Sequence, residues 1–260
     1  MDQAQVAAAD SEGVRTITLA RPEARNALTP RMIAALHDEL VRAARDDGVH
    51  ALVLTGSGPA FCAGADLDRF GEPVDQAAFR FDSHRLTDLV GLLERVEKPV
   101  IAAVNGVAVG LGVQLALACD LRVAAASAGF AFTEGRLGLL PTHGGVARLV
   151  KLVGLARARD LLLGSATIDA RRAHEVGLLT EVVPDGELAA AASRLARDAL
   201  RRAPQSYGLT KRLLLLAASA DLTSAMAAET IAQSLLVGTE DHGEGVRAAR
   251  ERRPPEFTGR

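Results

Sequence analysis

A stretch of twenty residues without a charge, most of them apolar, runs from Val100 to Cys119. A run of this length meets the simplest criterion for a membrane-spanning helix. Three glycines interrupt the run, however, and glycine disfavours a continuous helix. The pattern therefore favours three shorter pieces: a buried strand over Val100–Val104, a turn over Asn105–Leu111 and a buried helix over Gly112–Cys119.

Hydrophobic periodicity elsewhere in the chain predicts strands that alternate with helices. The predicted strands are Val14–Leu19, Val49–Leu54, Leu121–Ala125, Phe130–Phe132 and Leu179–Val183. Thr29 and Pro30 are typical of a helix start, because a hydroxyl cap precedes proline at the first helical position. The residues from about 186 onward are rich in Ala, Leu and Arg, which favour helix. We therefore expect an α/β fold with a core over residues 1–185 and a helical region over residues 186–260.

Composition narrows the classes of function. The formal net charge of −2 and the pI near 6.3 give no indication of nucleic-acid binding. The two cysteines, Cys62 and Cys119, lie in apolar surroundings and form neither a disulfide framework nor a metal-ligand spacing. The N-terminus lacks a basic stretch followed by a long apolar core, so no secretory signal is visible. We expect a cytoplasmic protein without a membrane span or a metal site.

Two glycine-bearing loops, Ala60–Leu67 and Asn105–Gly112, each follow a predicted apolar strand. If the loops meet in space, each can offer one backbone N–H to the same oxygen atom. Such a pair of donors at a helix N-terminus stabilises an enolate or a tetrahedral oxyanion. Taken one at a time, both loops are equally compatible with ordinary connections.

Several motifs occur in a fixed order along nearly the whole chain. They are RPEARNALT at 21–29, AFCAGADL at 60–67, KPVIAAVNG at 98–106, ACDLRVA at 118–124, FTEGRLGLLPTHGG at 132–145 and RRPPEF at 252–257. In these motifs the chain resembles the enoyl-CoA hydratase/isomerase (crotonase) superfamily. The resemblance implies a spiral of repeated ββα units and a C-terminal helical region that assembles trimers or dimers of trimers. It also implies an acyl-CoA thioester substrate and no further cofactor.

The resemblance also implies roles for individual residues. The oxyanion hole would consist of the backbone N–H groups of Ala63 and Leu111. The adenine would lie against the backbone near Ala63–Leu67, the CoA phosphates near Arg25, and a neighbouring subunit's ligand within reach of Phe257. The residues implied in CoA binding are therefore Arg25, Ala63, Ala65, Asp66, Leu67 and Phe257.

Proton transfer distinguishes the reactions of this family. The positions that carry two glutamates in its hydratases are Gln114 and Glu134 here. Gln114 can position a water molecule or the substrate, but an amide does not exchange a proton at neutral pH. Double-bond isomerisation needs only one base, so it is the favoured reaction, with Glu134 as acid and base. We expect Leu137 and Leu139 to surround this carboxylate with apolar surface.

Two alternatives stay open at this point. One is an enoyl-CoA hydratase of weakened activity, with a water held by Gln114 and activated by Glu134. The other is a non-catalytic acyl-CoA-binding protein. His143 is a possible acyl-pocket residue, although a histidine in a turn is more often structural, and the sequence does not decide where Arg136 points.

Overall fold

A computed structural model describes residues 5–67, 75–164 and 167–260 of the chain. The strands in these ranges are β1 (Val6–Ser11), β2 (Val14–Leu19), β3 (Ala51–Gly56), β4 (Ala60–Cys62), β5 (Val100–Val104), β6 (Val107–Val109), β7 (Leu121–Ala125), β8 (Gly129–Ala131), β9 (Thr167–Asp169) and β10 (Glu181–Val183). The α-helices are α1 (Pro30–Arg45), α2 (Gln76–Arg95), α3 (Leu111–Ala118), α4 (Gly145–Val153), α5 (Leu155–Leu163), α6 (Ala170–Glu175), α7 (Leu188–Ala199), α8 (Pro204–Ala217), α9 (Leu222–Leu236) and α10 (Glu240–Glu251).

The larger sheet has the strand order β1-β2-β3-β5-β7-β10 and is parallel except for the antiparallel pair β1–β2. Its strands alternate between two apolar faces, as period-2 side-chain geometry requires. In β3, for example, Leu52 and Leu54 join the main core, whereas Ala51 and Val53 face a second apolar cluster. Helix α7 covers this second cluster with its own buried side chains. The first helix of the predicted C-terminal helical region thus packs on the sheet itself.

The smaller sheet has the order β4-β6-β8-β9, with β9 antiparallel to β8. Successive strand pairs β3–β4, β5–β6 and β7–β8 each place their first strand in the larger sheet and their second in the smaller one. A helix follows each pair, so the chain winds as a spiral of ββα units. This confirms the predicted fold class, including the helices at the C-terminal end. The repeat is structural, since the sequence carries no fixed-period repeat.

The central stretch divides into the pieces that its glycines predicted, with one difference. Strand β5 has the predicted bounds and α3 begins one residue early, at Leu111, with every side chain buried. The predicted turn, however, contains strand β6, and the loop after β3 contains β4. No helix within the described ranges is long and apolar enough to cross a membrane.

Candidate active site

Glu134 lies at the N-terminus of helix α3, in space that a glycine leaves open. It begins the short 3-10 turn Glu134–Leu137 that follows β8. Gly110, the residue before α3, has φ +51°, and a Cβ there would be 3.2 Å from Glu134 Oε1 and 3.4 Å from its Cδ. Any side chain at Gly110 would therefore press on the carboxylate as well as strain the backbone.

Gln114, on the first turn of α3, holds the same carboxylate. Its Nε2–H donates to Glu134 Oε1 at 2.8 Å, and the residue is only 2% exposed. Gln114 Oε1 and Glu134 Oε2 are both buried, and neither has a hydrogen-bond partner among the described residues. Buried polar atoms are nearly always paired in proteins. Two unpaired buried acceptors on hydrogen-bonded side chains therefore mark a place where a ligand or a water molecule supplies the donors.

The two glycine loops meet at this point, as the sequence predicted. Gly64, in the loop after β4, has φ +99°, and a Cβ there would lie 2.9 Å from Val109 O and 3.6 Å from Leu111 N. Parallel pairing of β4 with β6 brings the two loops together. Because Leu111 is the first residue of α3, its N–H has no acceptor inside the helix. The Leu111 side chain is 6% exposed and belongs to the main hydrophobic core.

The N–H of Ala63 is not available for a ligand. It donates to Arg25 O at 2.9 Å, which contradicts the oxyanion-hole role predicted for Ala63. The carbonyl of Gly64 accepts from Leu28 N at 2.8 Å, and the peptide bond between Gly64 and Ala65 is trans. In a trans peptide the N–H points opposite to the C=O. The Ala65 N–H therefore points away from Leu28, and it has no backbone acceptor in the described part of the chain.

The sequence alone could not distinguish these two alanines. Both stand in the motif AFCAGADL, and which N–H is free depends on the isolated β-bridge between Leu28 and Ala65. That bridge joins residues far apart in the chain, and no local sequence pattern predicts it. Ala65, predicted only as a CoA-binding residue, is thus the better candidate for the second oxyanion donor.

Two asparagines, one buried and one half-buried, fix the backbone of the first loop. Asn26 is fully buried, and its Nδ2 donates to Ser57 O at 2.9 Å and to Ala60 O at 2.8 Å. Asn105 Nδ2 donates to Gly58 O at 2.9 Å and to Ala60 O at 3.1 Å. Neither residue was predicted to have a role, although both occur in the ordered motifs of the chain. A polar residue at the end of an apolar strand was the signal available for Asn105.

Cys62 lies inside the same loop and acts as a buried filler. Its Sγ donates to Asn26 O at 3.2 Å, and burial raises the pKa of the thiol to about 12. A thiol with so high a pKa carries no thiolate at neutral pH, which excludes it as a nucleophile in this conformation.

The residues predicted to bind CoA differ in their exposure and in the contacts that they make. Arg25, in the left-handed region at φ +51°, is exposed, and Leu67 is 60% exposed. The Asp66 carboxylate forms an ion pair with Arg21. Phe257 packs against α10 of its own chain, with its ring carbon Cε1 3.7 Å from the position of a Cβ on Gly245.

The two leucines that follow Glu134 are more exposed than the sequence predicted. Leu137 and Leu139, expected to shield the carboxylate, are 52% and 41% exposed. The carboxylate is enclosed instead by Gly110 and Gln114. His143 Nδ1 lies 3.0 Å from Thr87 Oγ1 of α2, so the imidazole is tied to that helix.

Comparisons with known proteins agree with this arrangement. The family model for enoyl-CoA hydratase/isomerase matches residues 9–260. The chain is 40% identical over 252 residues to 1,2-epoxyphenylacetyl-CoA isomerase of Escherichia coli (strain K12), covering 96% of each protein. It is 38% identical over 247 residues to 2,3-dehydroadipyl-CoA hydratase of the same strain, covering 95% of this chain and 96% of the relative.

Comparison with solved structures also finds an enoyl-CoA hydratase. The crystal structure of enoyl-CoA hydratase from Bacillus anthracis superposes with a TM-score of 0.93 at 33% identity, over 99% of this chain and 100% of that chain. The fold, the ordered motifs and a match across almost the entire length support one assignment. The chain belongs to the enoyl-CoA hydratase/isomerase family, within the crotonase superfamily.

Proposed function

We propose that this protein binds an acyl-CoA thioester and moves a carbon–carbon double bond along its acyl group. The thioester oxygen accepts hydrogen bonds from the N–H groups of Leu111 and Ala65. These bonds strengthen as negative charge develops on the oxygen, and losing one such donor in a comparable site costs about 3 kcal/mol. The positive end of the α3 dipole adds to this stabilisation. The reaction uses no cofactor beyond the CoA ester that is its substrate.

Glu134 acts as the only acid and base in this proposal. With a 3-enoyl ester, its carboxylate removes a proton from C2, and the electrons spread into a dienolate whose oxygen lies at the two N–H groups. The same carboxyl group then returns the proton at C4, leaving the double bond between C2 and C3. The observation that carries the proposal is the buried, unpartnered Glu134 Oε2 at the N-terminus of α3. Its neighbour Gln114 positions the carboxylate but exchanges no proton.

One assay tests the proposal. Purified protein is incubated separately with 3-enoyl-CoA and 2-enoyl-CoA esters while the absorbance of the conjugated thioester is followed. Isomerisation is expected to increase conjugation from the 3-enoyl ester. Loss of conjugation from the 2-enoyl ester, without isomerisation, would instead establish a hydratase. Tight binding of both esters with neither change would establish a non-catalytic acyl-CoA-binding protein.

Hydration is the second candidate, and one observation favours it. Gln114 Oε1 and Glu134 Oε2 are both buried acceptors without a partner among the described residues, and a water molecule carries two O–H donors. Such a water would keep its lone pairs free for attack on C3 of a 2-enoyl ester. The missing second carboxylate would make this reaction slow.

Gln114→Glu tests the role of the amide directly. Restoring a second carboxylate is expected to create or raise hydration of 2-enoyl-CoA, because the new group can exchange a proton. Hydration that stays unchanged, in a variant that folds and binds the CoA ester, would contradict the place given to Gln114. Gln114→Leu serves as the control, since it removes the acceptor and adds no acid.

We further propose that residues 186–260 assemble the protein into a homotrimer or a dimer of trimers. Helices α8 and α9 expose large apolar side chains that the single chain leaves uncovered. They are Leu214, Leu222, Met226, Ile231 and Leu235, each more than half exposed. Large apolar side chains left exposed on neighbouring helices are typical of subunit interfaces.

A further inference from the structure

The segment between Glu134 and helix α4 packs closely on Gln114. Gly145, the first residue of α4, lies directly on the Gln114 side chain: a Cβ there would be 2.9 Å from Gln114 Cγ and 3.0 Å from its Cδ. The two residues before it, His143 and Gly144, are both left-handed, at φ +52° and +83°. A non-glycine residue is rarely held in this region without support from its surroundings. Something must therefore fix this segment in place.

Arg148, one turn into α4, supplies that support by joining the segment to α2. Its Nε donates to Glu94 Oε1 at 2.7 Å and its Nη2 to Glu94 Oε2 at 2.5 Å. The remaining nitrogen, Nη1, donates to His143 O. The side chains of Arg148 and Glu94 are 17% and 21% exposed. A two-pronged, partly buried pair of this kind has far stricter geometry than an exposed ion pair.

A second contact joins the same helix to the same segment. Thr87 Oγ1 lies 3.0 Å from His143 Nδ1. Thr87 and Glu94 are seven residues apart in α2, which places them on one face of the helix. Through Thr87 and through the Arg148–Glu94 pair, one face of α2 thus holds His143 at the start of the left-handed segment.

We propose that Arg148 and Glu94 are positioning residues that hold Gln114, and through it Glu134, in the reactive geometry. The path of contacts runs from Glu94 to Arg148, from Arg148 to the backbone at 143–145, from Gly145 to Gln114, and from Gln114 Nε2 to Glu134 Oε1. The inference rests on the proposed function, since it assigns the pair to the same acid/base site. Neither side chain needs to touch the substrate.

A double-mutant cycle tests the proposal with the full-length protein. Arg148→Met, Glu94→Gln and the double variant are compared with the wild type on the CoA ester that the wild type converts. Each single change is expected to lower kcat by about 10-fold to 10²-fold, because small displacements of a reacting group have effects of that size. KM and the affinity for the ester should stay within about twofold, since the CoA-binding loop is not touched. The double variant should be no slower than the slower single variant, as expected for residues that act as one unit.

Arg172→Met is the matched control. Arg172 pairs with Glu175 at 3.2 Å on the surface of α6, and both side chains are about half exposed. Its kcat should equal that of the wild type. Should Arg148→Met fail to fold, Arg148→Lys carries the test, because lysine keeps the charge but cannot bind a carboxylate with two nitrogens while also reaching His143 O.

A crystal structure of the Arg148 variant separates this proposal from the proposed function. We expect the Gln114 amide to move and its bond to Glu134 to lengthen or break. A Gln114–Glu134 pair that is unchanged, or an unchanged kcat, would overturn the positioning role. A wild-type protein without activity on any enoyl ester would overturn the proposed function alone, because the displacement of Gln114 would still be measured.

Discussion

The side chains of Gln114 and Glu134 have similar shapes but differ in their ability to exchange a proton. The proposed mechanism depends on that difference. The carboxylate can take up and release a proton, whereas the amide can only form hydrogen bonds that position the carboxylate. Their pairing at 2.8 Å leaves one oxygen of each buried and without a donor among the described residues. The identities of both residues were readable from the sequence. Their geometry was not, because it depends on Gly110, which provides the space that the carboxylate occupies.

Gly110→Ala tests this dependence. The new methyl group would lie 3.2 Å from Glu134 Oε1 in a backbone conformation that alanine rarely adopts. We expect kcat to fall by about 10²-fold through displacement of the carboxylate, measured as the rate of double-bond migration. Gly177→Ala is the control for backbone strain alone, because Gly177 has φ +85° and no atom within 4 Å of its Cβ position. If both variants lose activity equally, Gly110 has no specific role at the site.

Among the strands, some predictions have the observed bounds, whereas Val49–Leu54 is shifted to Ala51–Gly56 and β1, β4 and β6 were not predicted. The strands Val14–Leu19, Val100–Val104 and Leu121–Ala125 have the predicted bounds, and Thr29 caps α1 by accepting from Met32 N. Strands of three residues, such as β4 and β6, hold too few side chains to show alternation. Their existence depends on pairing with each other. This is also why the free N–H at Ala65 could not be recognised from the sequence.

Lys211 shows how a C-terminal helix is attached to the core. On α8, its buried Nζ donates to Leu93 O at 2.9 Å, Lys98 O at 3.3 Å and Asp120 Oδ2 at 2.9 Å. Asp120 follows α3 and also accepts from Val100 N at 2.8 Å. Burial raises the pKa of the Asp120 carboxyl, and the attraction of Lys211 opposes that shift. One ion pair thus joins α8, the start of β5 and the end of α3.

Lys211→Met is expected to destabilise the protein strongly. It leaves the Asp120 carboxylate buried without its cation, a change that typically costs about 3–5 kcal/mol in the free energy of unfolding. Urea denaturation measures this loss, and Asp120→Asn added to Lys211→Met should recover part of it. Arg212→Met, which removes the neighbouring exposed pair with Glu97 at 3.0 Å, should cost about 1 kcal/mol or less. Equal losses in the two single variants would contradict the attachment role of Lys211.

For the molecule as a whole, the hydrophobic pattern of the sequence does not determine the order of the strands in the sheets. Alternation of strands and helices predicted an α/β core, but the spiral order of the strands came from the resemblance to a family rather than from periodicity. The same twenty-residue apolar stretch also met the length criterion for a membrane span. Its glycines proved decisive, because they divide the stretch between two sheets and the short helix α3. The exposed apolar side chains of α8 and α9 are a feature of the described residues that a single chain does not explain.

The exposed apolar side chains of α8 and α9 predict that the protein forms an oligomer. Sedimentation at several protein concentrations should give about three or six times the mass of the chain. Ile231→Glu combined with Leu235→Glu places two charges on the exposed face of α9, where the native side chains are 65% and 63% exposed, and should release monomers because unpaired charges oppose burial. Arg159→Glu, an exposed change on α5, tests whether added negative charge alone has this effect. A wild-type protein that sediments as a monomer would contradict the proposed assembly.

The isomerisation rate of Glu134→Gln is the sharpest test of the role proposed for this carboxylate. The amide keeps the size and polarity of the side chain but cannot move a proton. The account predicts that conversion of 3-enoyl-CoA falls by about 10²-fold to 10⁴-fold, while the affinity for the CoA ester, measured by calorimetry, stays within a few-fold. If Glu134→Gln isomerises the ester at close to the wild-type rate, Glu134 is not the acid and base of this site.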